Sequence, residues 1–195
     1  MDILGLSLIT LGLVAGSTQV ETTWEFDKAH SKVGFSVRHM VISEVEGYFK
    51  EFNGSVVTKG DDFTTAKIEF TVNVPSINTD NEQRDNHLRS DDFFNAEKYP
   101  TIFFKSKEIK KVGDNKFKLI GDLTIRDVTK PVELDVTFYG IVKDPWGNTR
   151  AGFKITGELN RFDYNLKWSG VLETGGLVAG KEVKLDINVE LIKKA

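Results

Sequence analysis

Between Asn78 and Ser106 the chain gathers Asn, Asp, Glu, Arg and His into the run NTDNEQRDNHLRSDDFFNAEKYPTIFFKS. Glu82, Arg84, Asp85 and His87 lie close together in it, and paired acids beside a histidine are the residue types of general acid–base catalysis. Arg84 and Arg89 supply planar forks that match phosphate or carboxylate. Asn and His offer the donors and acceptors that a quinone or an amide would use. His30, His39 and His87 are all the histidines of the chain, and three such ligands with an open position suit zinc. Each set also has a plainer explanation. An ion-pair network on a solvated helix has the same composition, and no G-x-S-x-G nucleophile motif accompanies the acids. His30 and His39 differ by an odd number along one alternating segment, so only a bulge would put them on one face.

The elements that position these residues follow from spacing. Thr79 and Glu82 have capping-box spacing, which predicts a helix over Asp80 to about Arg89. Asp85 and Arg89 are then four apart, a contact worth only about 0.2–0.5 kcal/mol on an exposed face. Everything around this helix alternates with a period of two, the mark of half-buried strand. Ser31, Val33, Phe35, Val37 and His39 share one face. Val45 to Lys59 is less regular, with a bend near Asn53-Gly54. Ala66, Ile68, Phe70, Val72 and Val74 alternate until Pro75. Ile102, Phe104 and Ser106 begin the next strand, and Phe117 to Ile125 follows a Gly113-Asp114-Asn115 turn. Asp127 to Lys130 reads as a turn after which Pro131 restarts the chain through Gly140. Ala151 to Leu159 and Val183 to Leu191 complete the set.

About eight strands joined mostly by short turns make an antiparallel sheet, and closing it into a barrel removes the exposed edges. The fold class is therefore all-β, an eight-stranded antiparallel barrel with a short helix inserted between strands. A barrel of this size is either filled by its own side chains or holds one small ligand. Gly121, Gly140 and Gly157 at inward positions leave volume unfilled or permit a bend. The Arg161 to Gly180 connection carries Phe162, Tyr164, Leu166 and Trp168 at alternate positions, as a plug for one barrel end or as one wall of a ligand mouth.

The totals narrow the classes further. The 195 residues suffice for one domain with a real core, and a net charge of −3 gives no basic field for nucleic acid. Without cysteine there is no disulfide, thiolate nucleophile or Cys-based metal site. Ile3 to Ala15 is apolar but shorter than the ~20 residues of a membrane span. With Ala15-Gly16-Ser17 behind it, this segment reads as a secretory signal cleaved after Ala15 or Gly16, although Met1-Asp2 lacks the usual basic residues. The alternative is an uncleaved N-terminal arm. Residues 1–20 are thus set apart from a domain over 21–195, and the expected location is periplasmic or secreted.

Four blocks carry a family resemblance. They are Trp24-x-Phe26-Asp27-x-x-His30-Ser31-x-Val33-x-Phe35-x-Val37-x-His39; Asn81-Glu82-Gln83-Arg84-Asp85-x-His87-Leu88-Arg89-Ser90-x-Asp92-Phe93-Phe94 with Glu97-Lys98-Tyr99-Pro100-Thr101; Gly121-Asp122-Leu123-Thr124-Ile125-Arg126-x-Val128-Thr129-Lys130-Pro131-Val132; and Asn160-Arg161-x-Asp163-Tyr164-x-Leu166-x-Trp168. From Trp24 onward the chain resembles the YceI-like family, the lipocalin-like polyisoprenoid-binding proteins of bacteria. Asp127 stands where Gly is usual and Tyr164 where Phe is usual. The resemblance implies an elongated apolar pore holding a polyisoprenoid, an isoprenoid quinone or another long-chain lipid. It also implies export to the periplasm, homodimers, and no catalytic activity or cofactor.

On this reading the pore is lined by Val33, Phe35, Val37, Phe70, Val72, Phe104, Leu119, Leu123, Phe138, Phe153, Ile155 and Ile187. The ligand head group meets Asn81, Arg84, Asp85, His87 and Arg89, then His39 and Asp92. Burying a methylene is worth ~0.8 kcal/mol, so each isoprene unit would contribute on the order of 3–4 kcal/mol. An enzyme or a metal-binding protein built on Glu82, Arg84, Asp85 and His87 is the alternative.

Overall fold

The computed structural model describes residues 20–194; the expected signal segment lies outside them, apart from Val20. The strands are β1 (Glu21–Phe26), β2 (Lys32–His39), β3 (Ser43–Phe49), β4 (Phe52–Lys59), β5 (Asp62–Asn73), β6 (Ile77–Asn78), β7 (Thr101–Lys111), β8 (Lys116–Ile125), β9 (Val128–Lys143), β10 (Thr149–Asn160) and β11 (Ala179–Lys193), with helix α1 (Glu82–Arg89) between β6 and β7. Every pairing between them is antiparallel.

Eleven strands occupy eight positions around a closed barrel. β1 and β2 lie end to end along the same edge of β11. β4 and β3 lie end to end along β1 and β2, and β5 and β6 along β4 and β3. The first three positions are therefore single strands broken by kinks. The bend expected at Asn53-Gly54 falls instead at Lys50-Glu51, where the Glu51 backbone carbonyl and amide are taken by Asn73 N–H and Ser76 Oγ. Pro131 lies inside β9, opposite Asp122, and the turn before it is only Arg126-Asp127. Arg126 takes a left-handed φ of 55° there.

The kink between β1 and β2 is held from outside by Arg150, which reaches Asp27 and Glu190 at 2.6 Å and Asp144 at 2.6 Å. Burial alone would raise the Asp27 carboxyl, but hydrogen bonds from His30 and Arg150 outweigh it and hold the group at about 2. The same bond to Asp27 raises the His30 imidazole above its ordinary value.

One barrel end is plugged by aromatics. Trp24 is wholly buried, with its indole N–H donating to Thr58 Oγ1 at 2.9 Å. Phe63 packs on Trp24 at 5.0 Å and on Phe153 at 4.8 Å, and Phe138 stacks on Phe153 at 5.0 Å. The other end carries α1, the short β2–β3 and β8–β9 turns, and the long β10–β11 connection.

Of the three glycines expected to face inward, Gly121 and Gly157 do and Gly140, opposite Gly152, does not. A Cβ on Gly121 would stand 2.4 Å from the Lys105 carbonyl and 2.5 Å from the Phe104 ring, and one on Gly157 would stand 2.5 Å from Leu134. These two admit a neighbouring side chain rather than leaving space. Gly140 has φ 117° beside a register shift between β9 and β10, so it makes a bend.

Two outcomes test these assignments. Gly121→Ala should lose roughly 1–3 kcal/mol in urea unfolding, because a backbone carbonyl blocks the new methyl; an unchanged midpoint would show that the β7–β8 pair can relax. His30→Ala should lower Tm more at pH 5.5 than at pH 9. A raised folded pKa gives stability that is full below the unfolded value of about 6.5 and fades as pH rises through the folded one. The depressed Asp27 adds its share above about 3.9 and loses it as pH falls toward about 2. An equal loss at both pH values would remove the His30–Asp27 linkage.

Candidate functional site

Inside the barrel the side chains leave two adjoining chambers. The inner one, about 190 Å³, runs down to the aromatic plug, and every residue on its wall is apolar. The outer one, about 260 Å³, lies under α1 and the β10–β11 connection. Phe49, Ile102, Ile125, Leu159 and Leu185 belong to both walls, so the two chambers adjoin along one elongated interior, called the tunnel below. Joined, they fall within the roughly 300–1,000 Å³ usual for small-molecule sites.

Val33, Phe70, Val72, Phe104, Leu119, Leu123, Phe153, Ile155 and Ile187 line the inner chamber, and Phe35 and Val37 line the outer. Phe138 stands behind Phe153 in the plug instead of on the wall.

At the outer chamber the polar residues separate into two groups. Arg84, His87 and His39 reach its wall. Asn81, Asp85, Arg89 and Asp92 do not, and each has another task. Asn81, not Thr79, caps α1, its side chain accepting from Arg84 N–H at 2.9 Å. The capping-box reading therefore fails: Thr79 faces Asp85, and Glu82 is exposed at the first turn. Asp85 is 4% exposed and accepts from both the backbone N–H and the hydroxyl of Thr79, at 2.8 and 2.6 Å. Nor does Asp85 pair with Arg89. Arg89 donates to the carbonyls of Pro75 and Ile77, each at 2.9 Å, and so ties the helix to the chain that enters it. Asp92 hydrogen-bonds His87 Nε2 at 2.8 Å.

Arg84 completes a relay. Its Nε donates to Thr79 Oγ1 at 2.8 Å and its Nη2 to Thr79 O at 2.7 Å, so the buried carboxylate fixes a threonine that fixes a guanidinium at the chamber wall. His87 packs edge-on against Phe93 at 5.1 Å and Trp168 at 5.3 Å. Tyr164, Leu166 and Trp168 line the outer chamber, as the mouth-wall reading of that connection requires. Burial, with Asp163 nearby, pushes the Tyr164 hydroxyl up to about 12.

Two arginines were not evident as site residues. Arg161 is 5% exposed and lies on the chamber wall, donating to the carbonyls of Gly180, Leu166 and Ala179. Burial lowers its pKa. Arg126 reaches Phe93 O at 2.8 Å and Asn165 O at 3.0 Å, which joins the segment after α1 to the β10–β11 connection. Neither stands in an apolar run, Arg126 lying between Ile125 and Asp127 and Arg161 between Asn160 and Phe162, so the sequence signal for both is their place in the blocks that carry the family resemblance.

The histidines do not meet as a trio. His39 and His87 share the outer chamber, while His30 bonds Asp27 in the cluster around Arg150. Asp27, His30 and Glu190 have metal-like spacing, but the Arg150 guanidinium already contacts both acids.

Fold and tunnel together define a class: closed antiparallel barrels whose interior is kept open as a long apolar chamber. A model of the YceI-like domain matches residues 24–191, and the chain belongs to the YceI-like family. A UPF0312 protein of Staphylococcus aureus strain N315 is 41% identical over 170 residues, 87% of this chain and 96% of that one. The crystal structure of Campylobacter jejuni YceI aligns at TM-score 0.71 and 36% identity, covering 87% and 96% of the two chains. A polyisoprenoid-binding domain from Saccharophagus degradans, implicated in plant cell wall breakdown, has the same fold at TM-score 0.63 and 14% identity, covering 88% and 98%.

The relay predicts that Asp85→Ala destabilises the protein by about 1–3 kcal/mol in urea unfolding, since two Thr79 donors lose their buried acceptor. Asp85→Asn, which keeps one oxygen, should lose less. Two variants as stable as the parent would show that Thr79 finds other partners.

Proposed function

We propose that the protein binds a long-chain polyisoprenoid or related amphiphilic lipid, isoprenoid quinones included, with the tail in the tunnel and the head at the outer chamber. It acts as a binding protein and not as an enzyme, and it stores or carries the lipid in the periplasm. One observation carries this reading: the barrel keeps two adjoining, largely apolar chambers that its own side chains do not fill. Protein interiors pack to the density of organic crystals, and an apolar void lowers stability in proportion to its volume. An apolar space of this volume is consistent with an apolar chain as its occupant. The all-apolar inner wall suits a hydrocarbon, and polar groups confined to one end suit a single head group.

Several features support the binding reading over catalysis. Glu82 is exposed at the helix surface, and Asp85 is buried with its partner satisfied, so the acids of the polar run do not face the chamber. The Saccharophagus domain, which shares the fold, is a polyisoprenoid-binding domain. Among the described residues no helix is long and apolar enough to cross a membrane. The apolar Ile3 to Ala15 segment motivates the periplasmic assignment.

Native mass spectrometry of the protein purified from its own host, followed by organic extraction, tests the proposal. The expected result is one long-chain lipid per barrel, on a chain that begins after Ala15 or Gly16. The same spectra count subunits and so test the expected homodimer. Protein that is repeatedly lipid-free, and that also fails to take up prenyl lipids, would reject the binding reading. An intact N-terminus would reject export by cleavage and leave binding untouched.

A further inference from the structure

We propose that the head group of the bound lipid is an anion, a phosphate or a carboxylate. This rests on the lipid-binding reading and narrows it. The outer chamber has three arginines on its wall, Arg38, Arg84 and Arg161, and no aspartate or glutamate. Each of the three donates only to neutral acceptors. Arg38 reaches Val41 O at 3.5 Å, Arg84 reaches Thr79, and Arg161 reaches three backbone carbonyls. Acids beside them in the chain or across the strand pair are engaged elsewhere, Asp163 with Lys130 at 3.3 Å among them. Glu44 pairs with Lys184 at 2.8 Å, Asp92 bonds His87, and Asp85 binds Thr79.

Arg161 makes the strongest case. Its charge is buried, and carbonyl dipoles and the faces of Phe162 at 4.4 Å and Phe93 at 5.7 Å are what offset it. Buried charges are ordinarily paired, because desolvation is only partly returned by dipoles. An anion in the adjoining chamber supplies the missing counter-charge. Arg84 is the contact group. Two of its nitrogens are committed to Thr79, which fixes the plane of the guanidinium, and Nη1 makes no hydrogen bond among the described residues. A fixed guanidinium with a donor to spare is the arrangement that grips a phosphate or carboxylate oxygen. Charge and apolarity thus divide cleanly along the tunnel, with cations at the outer chamber and hydrocarbon wall alone beyond it.

Displacement of the neutral fluorophore N-phenyl-1-naphthylamine from the full-length protein reads the preference. Farnesyl phosphate is compared with farnesol, and palmitate with hexadecanol, so that each pair shares a tail. The anion of each pair should bind at least tenfold more tightly. The tighter anion then assigns the source, prenyl phosphate or fatty acid, and either supports the inference. Arg84→Gln should erase most of that ratio while leaving alcohol affinity in place, and Arg84→Lys should restore part of it. Arg38→Gln, at an exposed position, gives a smaller drop in the same ratio and serves if Arg84 variants misfold. Alcohols that bind as tightly as their anions, or an Arg84→Gln loss equal for both, would overturn the anionic head group while leaving lipid binding intact. No displacement by any of the four would remove both.

Discussion

The structure depends on closure of the sheet along β11. This strand pairs with β10 on one edge over nearly its whole length and with β2 and then β1 on the other. Closure gives each of the eight positions a hydrogen-bonded neighbour on both sides, and it fixes the circumference. Strand length then sets the height of the interior, and β9 and β11 are sixteen and fifteen residues long. Short inward side chains would leave such a cylinder wide, and bulky ones would fill it. Here phenylalanines and branched aliphatics fill the Trp24 end and only narrow the rest. The tunnel is thus a consequence of geometry as much as of any dedicated binding residue.

The outer chamber is made differently. Barrel strands furnish apolar walls, but the fixed polar groups come mainly from segments added at one end. Those segments have little regular structure of their own, so side chains hold them. Arg126 joins two of them through the carbonyls of Phe93 and Asn165, and Arg89 fastens α1 to Pro75 and Ile77. Inside that frame, Asp85, Thr79 and Arg84 pass position from a buried carboxylate to a guanidinium facing the chamber. Most of the polar run between Asn78 and Asp92 is therefore scaffold, and a smaller part of it faces the chamber.

Much of the fold is legible in the sequence because alternation is a local signal. Val33 to Val37, Leu119 to Leu123 and Phe153 to Ile155 point inward as a period of two requires. The kinks that break the first three positions are not legible. The one after Phe26 depends on Arg150, more than a hundred residues away, binding Asp27. Thr79 shows the opposite error: local spacing favours a capping box with Glu82, but the buried carboxylate of Asp85 recruits the threonine and leaves the cap to Asn81. Arg161 was hidden for the same reason, since burial and the absence of a counter-charge are properties of the assembled wall. Inward glycines misled in a further way, because whether Gly121 leaves space depends on where the Phe104 ring falls.

An open apolar interior raises the question of what stabilises the barrel instead. The outer surface carries cross-strand pairs such as Lys105–Glu69, Lys118–Glu133 and Lys184–Glu44, all substantially exposed. Pairs of this kind contribute about 0–1 kcal/mol each and weaken with salt, so they do not replace a packed core. The wall itself, with its continuous hydrogen-bond ladders and the plug around Trp24, must carry most of the stability. A ligand that binds only the folded barrel adds to it by mass action, in proportion to the logarithm of its concentration over Kd. Stability and cargo are then coupled in one object. The chambers that make the unloaded barrel less well packed are the same ones that a bound chain would complete, so tight binding and firm folding draw on the same apolar surface.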